Sequence, residues 1–365
     1  MKMIIAGGGT GGHLFPGIAV AEEWMKRDRE NRVLFVGTER GIEKRVLPGL
    51  GFDLALIDVA GIKGKGLTGK IGAVAKLPRS FLQSGKIIRA FKPDLVLGVG
   101  GYASGPAVLT AHLMGLKTAV AEQNAFPGMT NRILSHFVDK IFVTFPESAK
   151  FFPGGKSLYT GNPIRAAFSS APAEPEENGA DRKFNLLIFG GSQGARAINQ
   201  AALAALDHLA EIKGRLHIIH QTGAQDLDEV SGAYQNRGFD AEVHSFIMDM
   251  PRIYGRANLL VCRAGATSIA ELTASGRASI LIPYPYAASD HQTKNAEVLV
   301  QGGAAEMISE SRLSGEKLAE TILTLYRDPG RISRMEACSR KLARIRAASQ
   351  IVDECFSLVD KKRGS

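Results

Sequence analysis

The chain is poor in the residues that mark extracellular, metal-bound and membrane-spanning proteins. Its 365 residues include three cysteines, Cys262, Cys338 and Cys355, which cannot all pair and have no ligand spacing, so neither a disulfide framework nor a cysteine metal cage is expected. Cys262 ends the run Leu259 to Val261 and reads as a buried strand residue. Nowhere do about 18 apolar residues run together, which excludes a spanning helix. One lysine and the apolar run Met3 to Ala6 precede the first glycines, far short of a secretory signal, and a cytosolic protein is expected. Acidic residues are missing from Val59 to Pro93, a segment that holds Lys63, Lys65, Lys70, Lys76, Arg79, Lys86, Arg89 and Lys92. The formal net charge is +9, and this segment accounts for nearly all of it.

Glycine is what the chain has in quantity, and its placement is informative. Gly7-Gly8-Gly9-Thr10-Gly11-Gly12-His13 directly follows Met3 to Ala6, and Gly190-Gly191-Ser192-Gln193-Gly194-Ala195 follows Leu186 to Phe189. A strand that runs through a glycine turn into a helix presents backbone N–H groups and a positive helix end to an anion. Gly7, Gly9 and Gly12 also fit the dinucleotide fingerprint G-x-G-x-x-G. The duplication matters more than either loop.

The length fits two domains of about 150 to 200 residues. Short continuous apolar runs recur as Met3 to Ala6, Val33 to Val36, Leu54 to Ile57, Leu95 to Leu97, Thr118 to Ala121 and Lys140 to Val143. The second half has Leu186 to Phe189, Leu216 to Ile219, Ala241 to His244, Leu259 to Cys262 and Ser279 to Ile282. Unbroken runs suit strands buried on both faces, so each half reads as a doubly wound α/β unit with a parallel sheet. Ala166 to Lys183 lacks apolar periodicity and reads as a linker between domains 1–165 and 184–365. After Pro329 the chain reads as a helical tail that can pack across either domain, grouped by sequence order with the second.

Ligands of doubly wound domains bind at the carboxyl ends of the strands. The chemistry-bearing residues follow those ends: His13; Gly100 to Pro106; Glu122-Gln123-Asn124; Gly161 to Arg165; Ser192; Arg263 to Thr267 leading to Glu271; and Asp290 to Asn295. They are expected to converge on one cleft.

In this order, GGGTGGH with Phe15-Pro16-Gly17, GGYASGP, EQNAFPG, GNPIR, GGSQGA, CRAGATSIAE and DHQTKNA closely resemble the MurG family of peptidoglycan N-acetylglucosaminyltransferases, glycosyltransferase family 28. The resemblance runs from residue 3 to about residue 310. It implies a GT-B fold, two Rossmann-like domains facing a cleft. The implied reaction passes N-acetylglucosamine from UDP-N-acetylglucosamine to the muramyl 4-hydroxyl of lipid I, with inversion, giving lipid II and UDP.

The resemblance also implies roles. Uracil would lie near the backbone of Ile247, the ribose hydroxyls on Glu271, the sugar hydroxyls near Asn124 and Gln292, and the diphosphate beside Ala266 and Thr267. Thr10, Gly11 and Gly12 would face the sugar. The first loop with Gly101, Tyr102, Ser104 and Gly105 would hold the acceptor's pyrophosphate. The residue types suit this chemistry: a diphosphate leaving group needs N–H dipoles, which Ser192 and its loop supply, and a cation, for which Arg165 is the candidate. The incoming hydroxyl needs a base, and His13 is the candidate. Neither a metal nor another cofactor is expected.

The basic segment interleaves Ile71, Val74, Leu77, Phe81, Leu82, Ile88 and Phe91, which suits peripheral docking on an anionic membrane surface, at its cytoplasmic face. Gly64 to Lys70 nearly spells a Walker A loop, but Ile71 stands where Ser or Thr must hold magnesium. Asp226-Leu227-Asp228 imitates a metal-binding D-x-D and is expected to be surface charge. His112, His136, His208, His217, His220 and His244 read as structural, His291 as a further cleft residue, and Trp24 as core.

Three rivals remain. A nicotinamide enzyme would use the first loop with Glu39, a UDP-sugar epimerase shares the fold class, and a nucleic-acid binder would explain the charge. The basic segment has only Phe81 and Phe91 as aromatics and no binding module, so no nucleic-acid partner is expected.

Overall fold

The computed structural model describes residues 1–39, 41–59, 76–170, 183–191, 193–287 and 290–363. It forms two compact units, Met1–Arg165 with Ile345–Ser365, and Ala166–Arg344.

The first unit contains β1 (Lys2–Gly7), β2 (Arg32–Gly37), β3 (Asp53–Leu56), β4 (Leu95–Gly100), β5 (Lys117–Glu122), β6 (Lys140–Val143) and β7 (Ser157–Tyr159). The second contains β8 (Phe184–Phe189), β9 (Leu216–Gln221), β10 (Asp240–His244), β11 (Leu259–Cys262), β12 (Ser279–Leu281) and β13 (Ala305–Met307). The sheets run β3-β2-β1-β4-β5-β6-β7 and β10-β9-β8-β11-β12-β13, with every pairing parallel. Parallel strands need crossovers, and helices on both faces bury them, hence the unbroken apolar runs. Ile5, for example, sits between Phe35 on β2 and Leu97 on β4.

Each unit thus repeats one order, in which the chain leaves its first strand toward one edge and returns to cross toward the other. The crevice at that reversal lies between β1 and β4 in one unit and between β8 and β11 in the other. The two glycine loops leave β1 and β8, at those points. Strands β7 and β13 have no counterpart among the apolar runs. Each is three residues at or near a sheet edge, with partly exposed positions.

The tail corrects the grouping by sequence order. Its last helix, Ala347–Arg363, packs on the helix Gly11–Arg27 of the first unit, where Trp24 stacks on Phe356 with ring centroids 4.4 Å apart. Ile351, Val352, Cys355 and Val359 join Leu14, Ile18 and Ala21 in one core. Burying an aliphatic side chain of this size is worth about 1.5–3 kcal/mol. The accompanying pairs Arg27–Asp353 and Lys140–Glu354, both 2.9 Å and partly exposed, contribute at most about 1 kcal/mol each. Apolar packing therefore decides where the tail goes.

The linker reading also needs revision at its start. Ala166–Ser170 is helical and belongs to the second unit, with Phe168 buried edge-on against Tyr254 at 5.4 Å. Residues 171–182 lie outside the described residues. So do 60–75, which include Lys63, Lys65, Lys70, Ile71 and Val74. The rest of the basic segment is the helix Leu77–Phe91, in which Ile88 is core and Leu82 is 70% exposed. No helix of the described residues is long and apolar enough to cross a membrane.

Candidate functional site

In the first unit the loop after β1 lies against the loop after β4. The Gly8 N–H donates to the Gly100 carbonyl at 3.3 Å, and a Cβ on Gly101 would lie 2.5 Å from the Gly8 carbonyl. Behind them sits a residue the sequence reading did not single out. Glu43 is 1% exposed, and its carboxylate accepts from the Gly9 N–H at 2.8 Å, the Thr38 N–H at 2.8 Å and the Thr38 hydroxyl at 3.2 Å. A Cβ on Gly8, Gly37 or Gly41 would collide with that carboxyl group. The only sequence signal was this scatter of glycines, since Glu43 is 34 residues from Gly9. The Gly9 N–H therefore already has an acceptor within the protein, so it is not left for a dinucleotide pyrophosphate.

His13 lies in the first turn of the helix Gly11–Arg27, half-buried, with its ring against Gly100. Its Nδ1 is 3.1 Å from Gln123 Oε1. Next along the chain, buried Glu122 accepts from the Asn124 N–H at 3.0 Å, Asn124 Nδ2 at 3.2 Å, the Gly128 N–H at 3.0 Å and Asn131 Nδ2 at 2.9 Å. This fixes the EQNAFPG loop and uses one of the two amide protons of Asn124, leaving its second N–H and its side-chain oxygen for other partners.

Thr10 stands at the helix N-cap without a side-chain cap bond and is exposed, so its hydroxyl faces outward. Tyr102 is likewise exposed and Gly105 half-buried at the start of the helix Ser104–Leu113. The Ser104 hydroxyl is fully buried without a hydrogen-bond partner, close to Gly98 at the sheet, which leaves its backbone as the part at the helix start. Arg165 closes the unit with its guanidinium 5.0 Å from the Phe15 ring centre. It opposes, without cancelling, the burial that raises the Glu22 pKa.

In the second unit the glycine loop leans on the chain after β9. A Cβ on Gly194, whose φ is +78°, would collide with the Thr222 carbonyl. Ser192 lies outside the described residues. Gln221 stitches the loop to a second segment: its Nε2 donates to the Gly191 carbonyl at 2.8 Å, and its Oε1 accepts the Ile247 N–H at 2.7 Å. What Ile247 offers a base at this point is its carbonyl.

The helix Ala266–Ala274 begins after Gly265 with no side-chain cap. Ala266, Thr267 and Glu271 are all largely buried, and Glu271 adds to the burial that pushes the Cys262 thiol up to about 12. Beside this helix, Arg263 donates to the carbonyls of Ile282 and Pro283, both at 3.2 Å, pairs with Glu310, and stacks 5.3 Å from the Tyr284 ring centre. Gln292 Oε1 accepts the Tyr284 N–H at 3.0 Å, which turns the amide nitrogen to other partners. His291 is half-buried at the start of the same helix, His291–Gln301.

The D-x-D imitation is not a surface pair. Asp228 is exposed, but Asp226 is 4% exposed and accepts from Asn199 Nδ2 at 2.8 Å and Arg196 at 3.2 Å. Asn199 Oδ1 is 3.0 Å from His220 Nε2, and His220 Nδ1 is 2.8 Å from the Tyr234 hydroxyl. Burial pushes His220 down to about 3, against a smaller opposing pull from Asp226. Most buried polar groups have their hydrogen bonds met, and this row of side chains meets its own within the second unit.

The chain matches the family model described as glycosyltransferase family 28 N-terminal domain over residues 3–143 and that described as glycosyltransferase family 28 C-terminal domain over residues 185–351. A protein of Syntrophus aciditrophicus (strain SB), named UDP-N-acetylglucosamine-N-acetylmuramyl-(pentapeptide) pyrophosphoryl-undecaprenol N-acetylglucosamine transferase, is 57% identical over 359 residues, covering 98% of this chain and 99% of that one. A protein of the same name from Geobacter sulfurreducens is 52% identical over 364 residues, covering 99% and 100%. The crystal structure of Acinetobacter baumannii MurG aligns with a TM-score of 0.76 and 31% identity over 99% of each chain. A co-structure of S. aureus MnaA with UDP shares the fold, with a TM-score of 0.69 at 13% identity over 99% and 97%.

Proposed function

The chain belongs to glycosyltransferase family 28 and is a GT-B N-acetylglucosaminyltransferase of peptidoglycan synthesis, and we propose that its two units divide the reaction, the second holding the donor and the first the acceptor and the base. The donor is UDP-N-acetylglucosamine and the acceptor the undecaprenyl-pyrophosphoryl muramyl pentapeptide, lipid I. The observation that carries the division is the helix start after Gly265, which has no side-chain cap and carries Glu271 one turn on.

At that start, Ala266 and Thr267 with the Ser192 loop meet the donor diphosphate, and Glu271 bridges the two ribose hydroxyls. The Ile247 carbonyl accepts the uracil N–H, while the Gln292 amide nitrogen and the Asn124 side-chain amide take sugar hydroxyls. In the first unit, Thr10, Gly11 and Gly12 face the sugar, and Gly101, Tyr102, Gly105 and the Ser104 backbone take the acceptor's pyrophosphate. Gly9 does not, because Glu43 has its N–H. His13 removes the proton of the muramyl 4-hydroxyl as its oxygen attacks the anomeric carbon opposite the leaving group. The bond to the diphosphate breaks, UDP departs with the electron pair, and the configuration inverts. Arg165 and the N–H dipoles stabilise the charge that develops on UDP. A positioned base contributes about 10²–10⁴-fold, and each oxyanion donor about 2.7–4 kcal/mol.

The lipid-linked acceptor calls for docking at the cytoplasmic membrane surface. The helices Leu77–Phe91, Ser104–Leu113 and Met129–Leu134 pack side by side, and Leu82, Leu113, Met129 and Ile133 are exposed on them. Arg79, Lys86 and Arg89 on the first helix are exposed too, each worth about 1 kcal/mol near anionic lipid. Sedimentation with anionic vesicles should weaken with salt and in the Lys76, Arg79 and Lys86 neutralised variant; unchanged sedimentation removes the docking proposal.

The reaction is tested by transfer from labelled UDP-N-acetylglucosamine to a lipid I analogue, with and without chelator. Acceptor-dependent UDP release that survives chelator at least in part is expected. No transfer would overturn the function, and complete metal dependence would overturn the leaving-group argument.

A further inference from the structure

We propose that Gln123 is a positioning residue that locks His13 in the tautomer a base requires, with the proton on Nδ1 and the lone pair on Nε2. The inference rests on the reading of His13 as the base. Three contacts carry it, all within the first unit.

The first is the 3.1 Å separation between His13 Nδ1 and Gln123 Oε1. The second fixes which way round the amide lies: Gln123 Nε2 is 3.2 Å from the Ala121 carbonyl. A carbonyl only accepts, so the amide NH₂ must face it and the amide oxygen must face the ring. Turned over, the amide would set two acceptors against each other at Ala121. The oxygen can only accept, so Nδ1 must be the donor. Gln123 is 2% exposed, which leaves water no room to substitute. The third contact holds the ring: a Cβ on Gly100 would lie 2.7 Å from Nδ1 and 2.8 Å from Cε1. The imidazole is thus seated on a backbone that only glycine leaves open.

The consequence is chemical. When Nε2 takes the proton of the acceptor hydroxyl, the Nδ1–H bond to Gln123 needs no rearrangement and becomes charge-assisted. Because the amide is neutral, it sets orientation without the large rise in proton affinity that a carboxylate in the same place would bring. A carboxylate partner would leave more of the base protonated, and so idle, near neutral pH.

The test uses the full chain in two readouts. In ring-¹⁵N-labelled protein without substrates, the long-range proton–nitrogen spectrum should show neutral His13 protonated on Nδ1, and Gln123→Leu should shift it toward Nε2–H. A wild-type spectrum with the proton on Nε2 overturns the inference. In turnover, Gln123→Leu should lower kcat about tenfold or more with the donor KM nearly unchanged. Gln123→Glu, which keeps the acceptor oxygen and the shape, should move the acid limb of kcat/KM upward by about one pH unit or more. A Gln123→Glu profile that superimposes on wild type overturns the inference, whether or not Gln123→Leu folds. His13→Ala separates the two claims: retained turnover sinks His13 as the base while the spectrum still reports on Gln123, and a loss of about 10²–10⁴-fold sustains it.

Discussion

Glu43 lies behind the first glycine loop and Gln221 behind the second, and the contrast between a carboxylate and an amide separates two units that otherwise repeat one strand order. In the first unit the loop's Gly9 N–H is bound to a carboxyl oxygen of the protein itself. In the second, the Gln221 amide donates to the Gly191 carbonyl, and Gly194 lies close against the Thr222 carbonyl. The first loop's Gly9 N–H is thus already taken by a carboxyl oxygen of the protein, whereas the amide behind the second loop binds a carbonyl, that of Gly191. On the proposed division of the units, the first loop would seat Thr10 and His13 and the second would receive the donor diphosphate. Duplicated topology supplies two candidate anion sites, and the group behind each distinguishes them.

The largest expected effect tests the donor side of this contrast. Glu271→Ala removes a carboxylate assigned to two ribose hydroxyls, and hydrogen bonds to charged groups are worth about 1.5–3 kcal/mol each. The donor KM should rise about 100-fold or more while the acceptor KM stays within about twofold. Steady-state kinetics with each substrate varied in turn decides it. A rise confined to the acceptor KM would reverse the assignment of the units.

Glu43→Gln sharpens the contrast from the other side. The replacement turns one acceptor oxygen into a donor, which must then face the Gly9 N–H or the Thr38 N–H. Leaving such a buried group unsatisfied costs about 1–3 kcal/mol of stability. With the seat loosened, kcat should fall about tenfold, and inhibition by inorganic pyrophosphate should not tighten. Tighter pyrophosphate inhibition in the variant would mean that Glu43 had been holding a true phosphate site closed.

How far such features can be read from sequence depends on how local their causes are. The long central strands announce themselves because burial on both faces demands unbroken apolar runs, as in Leu95 to Leu97 or Leu259 to Cys262. Strands β7 and β13 do not, because three residues with partly exposed positions carry no pattern. The loops that bear His13, Asn124, Thr267 and Glu271 were legible because glycine-rich turns after strands are a local signal. Glu43 and Gln221 were not, and Gln123 was seen only as a neighbour of Asn124, because their meaning lies in partners 34, 30 and 110 residues away. Asp226 misled for the same reason: its charge is spent on Asn199 and Arg196 across the fold, while its neighbour Asp228 is the surface residue. The tail's place required knowing that Trp24 offered a flat apolar face to Phe356.

The smallest expected effect separates the units by acid sensitivity. His220 is buried in the second unit between Tyr234 and Asn199 and is pushed down to about 3, chiefly by burial. In the unfolded chain a histidine titrates near about 6.5. Above that pH both states are neutral and the group adds no pH dependence. Between about 6.5 and 3 the unfolded chain binds a proton that the native unit refuses, so stability falls with falling pH, approaching about 1.4 kcal/mol per unit. From pH 7.5 to 5.5 the loss assigned to His220 is about 1.4 kcal/mol, before carboxylates such as Asp240 and Glu242, held low in the native state, begin to contribute. Chemical denaturation at the two pH values, followed for the second unit's transition, should show this loss in the wild type and lack it in His220→Asn. Because the comparison is between slopes, it does not depend on how stable the variant is at pH 7.5. Equal slopes would mean that the network shelters no neutral histidine, and that the two units do not differ in this respect.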